Sequence, residues 1–296
     1  MRLTFLGTGS MVPTLDRNTS GLVVSYRDQN ILIDCGEGTQ KQMRKMKISP
    51  AKINKILITH WHGDHVFGLP GLLSTIEYSQ RASPIEIIGP IGTKKYVKVL
   101  LSTFAHTDKI VIKVREIHEG VFYEDNWIKI EAKRVDHTIM CYAYSFTETD
   151  SRKIDMDYLK KFKLSSHPIL KDLQKGKDIL WNGKKISAKK ATTIKKGKKL
   201  TVVFDTKFCK AAISLAKNSD LLVCEATLDS TLKDQAIKVK HLTSDDAAKI
   251  AKMSGSKKLI ITHFSQRYKD VSELTKEAKK IFLNTVPAND FLQVLV

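Results

Sequence analysis

No stretch of the 296 residues approaches the roughly 18 uncharged apolar positions needed to cross a bilayer, so no membrane association is expected. Cysteine is sparse. The four residues Cys35, Cys141, Cys209 and Cys224 form no CxxC pair, which reads as buried thiols in a reducing compartment and not as a disulfide framework. The opening MRLTFLGTGS alternates like a strand from residue 2 and lacks the long apolar segment and cleavage site of a secretory leader, so the expected location is cytoplasmic. Neither Gly7-Thr8-Gly9 nor Gly36-Glu37-Gly38 extends to GxGxxG, because Val12 and Lys41 occupy the third-glycine positions. That removes the dinucleotide fingerprint, and no nucleotide cofactor is expected. There is no internal repeat. Acidic residues are the scarcer charge, 31 Asp and Glu against 50 Lys and Arg, a formal net of +19.

What remains is a globular composition, 42% hydrophobic, long enough for one large domain with a sizeable core. Strand-like runs recur at 2–6, 21–26, 31–34, 55–59, 85–88, 110–115, 127–135, 141–147, 200–204, 220–224, 258–262 and 291–295. Helical patterns fall at 38–47, 66–80, 93–105, 207–217, 243–254 and 272–284. The helix at 243–254 opens with a capping-box spelling, Thr243-x-x-Asp246, and closes at Gly255. Hairpin-like strands first and strand–helix alternation later predict an α/β fold with a mixed sheet, or two stacked sheets, flanked by helices. From about 150 to 197 the rhythm fails: apolar periodicity is weak, and the stretch reads as an excursion inserted into a single 1–296 domain.

The positive charge concentrates in that excursion. Residues 151–200 carry 16 Lys or Arg against Asp155, Asp157, Asp172 and Asp178, a net of +12, whereas the other 246 residues carry 34 basic against 27 acidic. A lysine-rich run is either a solvated surface or a contact for a phosphate backbone, and charge alone does not separate the two.

Histidine is uncommon, nine residues, yet three of them fall in THWHGDH (59–65) directly after the apolar INKILI. The apolar run reads as a buried strand whose C-terminal end delivers the cluster, the usual place for an α/β site. Extended residues at i and i+2 point the same way, so His60 and His62 converge while Trp61 turns elsewhere. Gly63 permits a sharp turn, after which Asp64 and His65 face another direction, an arrangement suited to two adjacent metals. His137, Asp205 and His263 each follow a predicted strand and are candidate ligands. His106 and His118 sit in helix-end or loop contexts and read as structural or exposed.

HxHxDH followed at distance by His, Asp and His resembles the metallo-β-lactamase superfamily. The blocks FLGTGSMVPTLDRNTSG, DCGEGTQKQ, ITHWHGDHVFGLPGLL, FDTKFC, CEAT, HLTS and THFSQRY, in order across residues 5–268, resemble RNase Z, the tRNA 3′-end processing endonuclease, in its short form. The resemblance implies an αββα sandwich with an inserted flexible arm at 150–197. It implies two zinc ions per subunit, one held by His60, His62 and His137, the other by Asp64, His65 and His263, with Asp205 bridging; manganese or iron would also suit these residue types. A metal-held hydroxide would attack the phosphodiester after the discriminator nucleotide, leaving a 3′-hydroxyl on the tRNA and a 5′-phosphate on the trailer. Asp64 would double as proton acceptor, and Glu225 would orient His241 to protonate the leaving 3′-oxygen; without the family, that pair reads as a structural ion pair. The family's HEAT and HST blocks read CEAT and HLTS here, with Cys224 and Leu242 as the departures. The arm would grip pre-tRNA, with Lys160, Lys161, Lys163, Pro168, Lys171, Lys175 and Lys177 as candidate contacts. His167 stands where the family has Gly and reads as an RNA contact or a surface residue. A homodimer is implied as well.

The rival readings are a small-molecule phosphodiesterase or another hydrolase of the superfamily, which has no need of a basic arm, and a nucleic-acid-binding protein with structural zinc. Structural sites are closed and rich in cysteine, whereas no cysteine here holds a ligand position.

Overall fold

The computed structural model describes residues 1–79, 84–105 and 109–296; His106 and the last position of the predicted 66–80 helix lie outside them. The described chain falls into two compact units. One comprises residues 1–123, 130–146 and 199–296, the other 124–129 and 147–198.

The larger unit is built on two seven-stranded sheets. The first runs, in spatial order, Gln293–Leu295, Arg2–Gly7, Gly21–Tyr26, Gln29–Ile33, Lys55–Leu57, Ile85–Gly89 and Ile112–Glu116. Its early strands pair antiparallel, as hairpin-like sequence predicts, and those from Gln29–Ile33 onward pair parallel. The second runs Thr285–Pro287, Leu259–Thr262, Leu221–Glu225, Lys199–Val203, Cys141–Glu148, Ile128–Val135 and Gly120–Glu124.

Alternation along each strand decides the layers. Leu6, Val23, Leu32 and Ile56 face one way, packing against Met43, Leu69, Leu72, Leu73, Ile76 and Val97 of three helices. Leu222, Cys224, Leu259 and Ile261 pack likewise against Ala212, Leu215, Ala247, Ile250 and Leu274. The opposite faces, including Leu3, Phe5, Tyr144, Val202 and Val223, are also fully buried. Contacts join the sheets there: the Tyr144 hydroxyl donates to Ile58 O at 2.6 Å and Tyr142 N–H to Thr59 O at 3.0 Å. Helices outside and two sheets within make the αββα sandwich. Strands buried on both faces read as continuous apolar runs, which is why LLVCE has no polar alternation.

One helix departs from expectation. Thr243 is the N-cap of Ser244–Ser254, but its side chain caps no backbone N–H; its hydroxyl goes to the Asp245 carboxylate, so the capping box is spelled and not formed. The left-handed C-cap at Gly255, φ 66°, is as expected.

The smaller unit holds regular elements where the sequence shows little apolar periodicity. Ser151–Ile154 pairs antiparallel with Thr192–Lys195, and Ile179–Trp181 pairs with Lys184–Ile186 across the two-residue turn Asn182-Gly183, both left-handed. Leu159, Leu164, Leu173, Ile179, Ile186, Ala188 and Ala191 form its own buried core. Its helices and strands are only three to five residues long, too short to register in a periodicity window of about 11–18 residues.

Candidate metal centre

The chain folds so that one strand after another ends at the same place. Ile31–Ile33 leads to Asp34, Ile56–Leu57 to Thr59 and His60, Val135 to His137, Val203 to Asp205, Val223 to Glu225 and Thr262 to His263. Asp34, Asp205 and His263 leave their strands with left-handed backbone, φ 56°, 25° and 60°. Such conformations cost about 1–3 kcal/mol each and persist where the surroundings over-determine them.

His60 and His62 do converge, with Trp61 turned away: its Nε1 donates to Thr93 Oγ1 at 2.9 Å and its ring lies against Tyr96. Asp64 and His65 then open a short helix, Gly63–Val66. The chain passes from extended backbone at His62 into this helix at Gly63, whose φ is not left-handed, and a Cβ there would fall 2.3 Å from the Phe67 ring. Gly36 is the constrained position. A Cβ on it would fall 2.5 Å from Asp64 O and 2.3 Å from Thr19 Oγ1, so the glycine lets the loop after Asp34 close onto the helix that carries Asp64 and His65.

Two groups of ligand-type atoms result, His60, His62, His137 and Asp205, and Asp64, His65 and His263, with Asp205 within reach of both. In the first, His60 Nε2 lies 3.0 Å from His62 Nδ1, His137 Nε2 lies 3.1 Å from the same atom, and Asp205 Oδ2 is 3.5 Å from His60 Nε2 and 3.8 Å from His137 Nε2. In the second, Asp64 Oδ2 is 3.4 Å from His65 Nε2 and 3.5 Å from His263 Nε2, and Asp205 Oδ1 is 3.3 Å from His263 Nε2. The edge of a tetrahedron with metal–nitrogen bonds near 2.05 Å is about 3.3 Å. Among the described residues, His65 Nε2, His263 Nε2 and Asp205 Oδ1 are buried without a hydrogen-bond partner. Buried polar atoms are rarely orphaned, and three orphans aimed at one small volume fit a cation there. Asp205, His241 and His263 form a third, overlapping group.

The outward nitrogens are held by neighbouring side chains and carbonyls. Asp34, fully buried, accepts from Thr59 N–H and Oγ1 and contacts His65 Nδ1 at 2.7 Å. His60 Nδ1 meets Thr59 Oγ1, His137 Nδ1 donates to Lys240 O, and His263 Nδ1 meets Thr227 Oγ1, at 3.0 to 3.1 Å. Met11 N–H donates to Asp64 Oδ2 at 2.9 Å. Such partners fix tautomer and ring orientation. Asp34 closes the buried run ILI and opens the block DCGEGTQKQ, the two signals the sequence offers for it.

Burial lowers the pKa of His60, of His62 and of His137, and neutral imidazoles are the form that ligates. Burial also opposes charge on His65, yet Asp205, Asp34 and Asp64 raise its pKa well above the ordinary value, a field that favours a cation at this point. For Asp205, burial is outweighed by His263, His65, His60 and His241, and the carboxyl stays well below its usual range.

Glu225 is fully buried at the end of its strand. It accepts from Thr206 N–H (2.6 Å), Thr227 Oγ1 (2.6 Å), Leu242 N–H (3.1 Å) and His241 Nδ1 (3.0 Å). His241 Nε2 faces the cluster, 3.9 Å from Asp205 Oδ2. Burial works against its charge, but Glu225 and Asp205 raise its pKa to about 9. Cys224 and Leu242, the two departures in these blocks, are both wholly buried in the apolar core. His118 is exposed and belongs to none of the ligand groups.

The arm candidates Lys160, Lys161, Lys163, Pro168, Lys171, Lys175 and Lys177 are all exposed on the smaller unit. His167 is exposed too, its ring 4.8 Å from that of Trp181.

Residues 1–173 match the family model described as Anti-Pycsar protein Apyc1, a match that ends before Asp205, Glu225, His241 and His263. A Ribonuclease Z of Bacillus cereus is 39% identical over 299 residues, covering 98% of this chain and 97% of that protein. The crystal structure of human tRNase Z, short form, superposes with a TM-score of 0.72 at 27% identity, covering 100% and 99% of the two chains. The metallo-β-lactamase fold protein YhfI from Bacillus subtilis, 18% identical over 99% of this chain and 98% of its own, gives a TM-score of 0.73 and speaks for the fold alone. The chain belongs to the ribonuclease Z family and, over residues 1–173, to the family of the Apyc1 model.

Proposed function

We infer that this chain is a tRNA 3′-processing endoribonuclease, hydrolysing the phosphodiester after the discriminator nucleotide of pre-tRNA. The observation that carries the reading is near-full-length similarity to Ribonuclease Z in a chain whose strand ends assemble two abutting His/Asp groups. Two zinc ions per subunit fit those groups, His60, His62 and His137 with one, Asp64, His65 and His263 with the other, and Asp205 between them. When bound, they supply Lewis-acid polarisation of the phosphoryl oxygen and lower the pKa of water.

The chain's own groups do the rest. Asp64, steadied by Met11 N–H, is placed to accept the proton of the attacking water. Glu225 holds His241 by Nδ1, so that Nε2 presents a proton to the departing 3′-oxygen. Residues 150–197 form the arm that grips the tRNA. Its exposed lysines supply counterion release, which makes binding steeply salt-dependent. The working form is a homodimer acting in the cytoplasm. Among the described residues no helix is long and apolar enough to cross a membrane.

The test is cleavage of a 3′-extended pre-tRNA by the wild type and by a Δ151–197 variant bridged with Gly-Ser, with a chromogenic phosphodiester run in parallel. Loss of tRNA cleavage alone supports an RNA-binding arm beside an intact centre. A wild type that cuts the small ester and never the tRNA overturns the reading in favour of a small-molecule phosphodiesterase.

A further inference from the structure

The rim of the metal centre has two chemical sides. On the Asp64 side it is apolar. Phe67 follows the helix Gly63–Val66 and is 69% exposed, while its neighbours Val66 and Leu69 supply the core contacts. Its ring lies back across Gly63, so close that a Cβ on that glycine would fall 2.3 Å from Cε2. The ring therefore sits beside the very backbone that carries His62 and Asp64. Met11, whose N–H holds Asp64, is 72% exposed. On the His137 side the rim is cationic: Lys207 and Lys240 both place Nζ 2.9 Å from the Asp136 carboxylate, two cations on one anion, and Lys240 Nζ also donates to His137 O.

A nucleotide has the matching two-sided chemistry, a flat π-face on one side of its ribose and an anionic diester on the other. An exposed aromatic ring next to a nucleic-acid groove is the usual stacking platform. Phe67 is not a core residue turned outward by accident of the helix, because the helix already meets the core through Val66.

We propose that Phe67 stacks against the base of a nucleotide flanking the scissile phosphate and so sets which bond enters the centre. The proposal rests on the endoribonuclease reading above. It makes Phe67 a positioning residue that touches substrate and not the reacting atoms.

The experiment is a mutant–substrate cycle on the full chain with zinc bound. Pre-tRNA substrates carry an abasic site either at the discriminator or at the first trailer nucleotide, and each is cut by wild type, Phe67→Ala, Phe67→Leu and Phe67→Trp. Phe67→Ala should lower kcat/KM on intact pre-tRNA about 5- to 150-fold, the usual worth of one stacked base, with Tm and zinc content unchanged. Phe67→Trp should restore cleavage and Phe67→Leu should not. The deciding result is coupling: one abasic site should cost the wild type as much as Phe67→Ala costs, and cost Phe67→Ala nothing more. Independent losses at both abasic positions overturn the proposal, as does a Phe67→Ala protein that loses zinc or Tm, since the ring would then be structural. If the wild type cuts no pre-tRNA at all, the functional reading fails first, and the stacking proposal falls with it.

Discussion

The unit that carries the two ligand-type His/Asp groups buries its chemistry, whereas residues 124–129 and 147–198 expose theirs. In the first, His60, His65, Asp205, Glu225 and His263 are at most 2% exposed, His65 on the short helix Gly63–Val66 and the others at strand ends. In the second, the charged groups named as contacts stand in solvent on short elements around a core of seven buried residues. A metal centre needs positional accuracy, which buried strands and fixed outward hydrogen bonds give. A phosphate-backbone contact needs charge density, which tolerates mobile side chains. The two surfaces are therefore sensitive to different perturbations.

The comparison breaks most sharply at Asp205. Asp205→Ala removes the carboxylate both groups share, and kcat should fall about 10³- to 10⁴-fold on pre-tRNA and small diester alike, with zinc content falling in parallel by metal analysis. A protein that keeps both ions and its activity would place the bridge elsewhere. Next is the Glu225–His241 pair. His241→Ala should lower kcat about 10²- to 10⁴-fold with zinc retained. Glu225→Gln sharpens this through pH. Glu225 raises the pKa of His241, so the proton-donating form persists to higher pH in the wild type than it would without the carboxylate. Without the carboxylate the pKa drops, and the alkaline limb of the kcat profile should move to lower pH; an unmoved limb would sink the acid role. The smallest effect belongs to the exposed unit. Replacing Lys171, Lys175 and Lys177 by Ala should leave kcat alone and reduce the slope of log KM against log salt by about 2–3, near 0.9 for each phosphate that no longer meets a lysine. A slope equal to the wild type's would return those lysines to plain solvated surface.

The same division governs how much is legible in the sequence. HxHxDH is legible because its ligands are adjacent in sequence and extended residues share a face at i and i+2. Asp205 and His263 are legible as polar residues closing apolar strands. Asp34 closes a strand in the same manner, yet its role appears only when Thr59 and His65 are brought to it from 25 and 31 residues away. The Thr243 pattern promises a cap that does not form: Asp245, which the pattern does not name, competes for the same hydroxyl. In the smaller unit, no single element is long enough to show a period. Its Asn182-Gly183 hairpin is the available signal, a turn chemistry legible without periodicity.

The left-handed residues at three strand ends carry a lesson for transplantation. A designer who copies the letters HxHxDH and three distant ligands onto another α/β scaffold has copied the nouns without the grammar. Asp34, Asp205 and His263 occupy a region of backbone space that an ordinary strand exit does not visit. Aspartate enters it with modest reluctance and histidine with more, while a β-branched residue scarcely enters at all. A portable version of this centre is thus a set of three sharply angled exits from parallel strands, to be built into the recipient's backbone before any side chain is chosen.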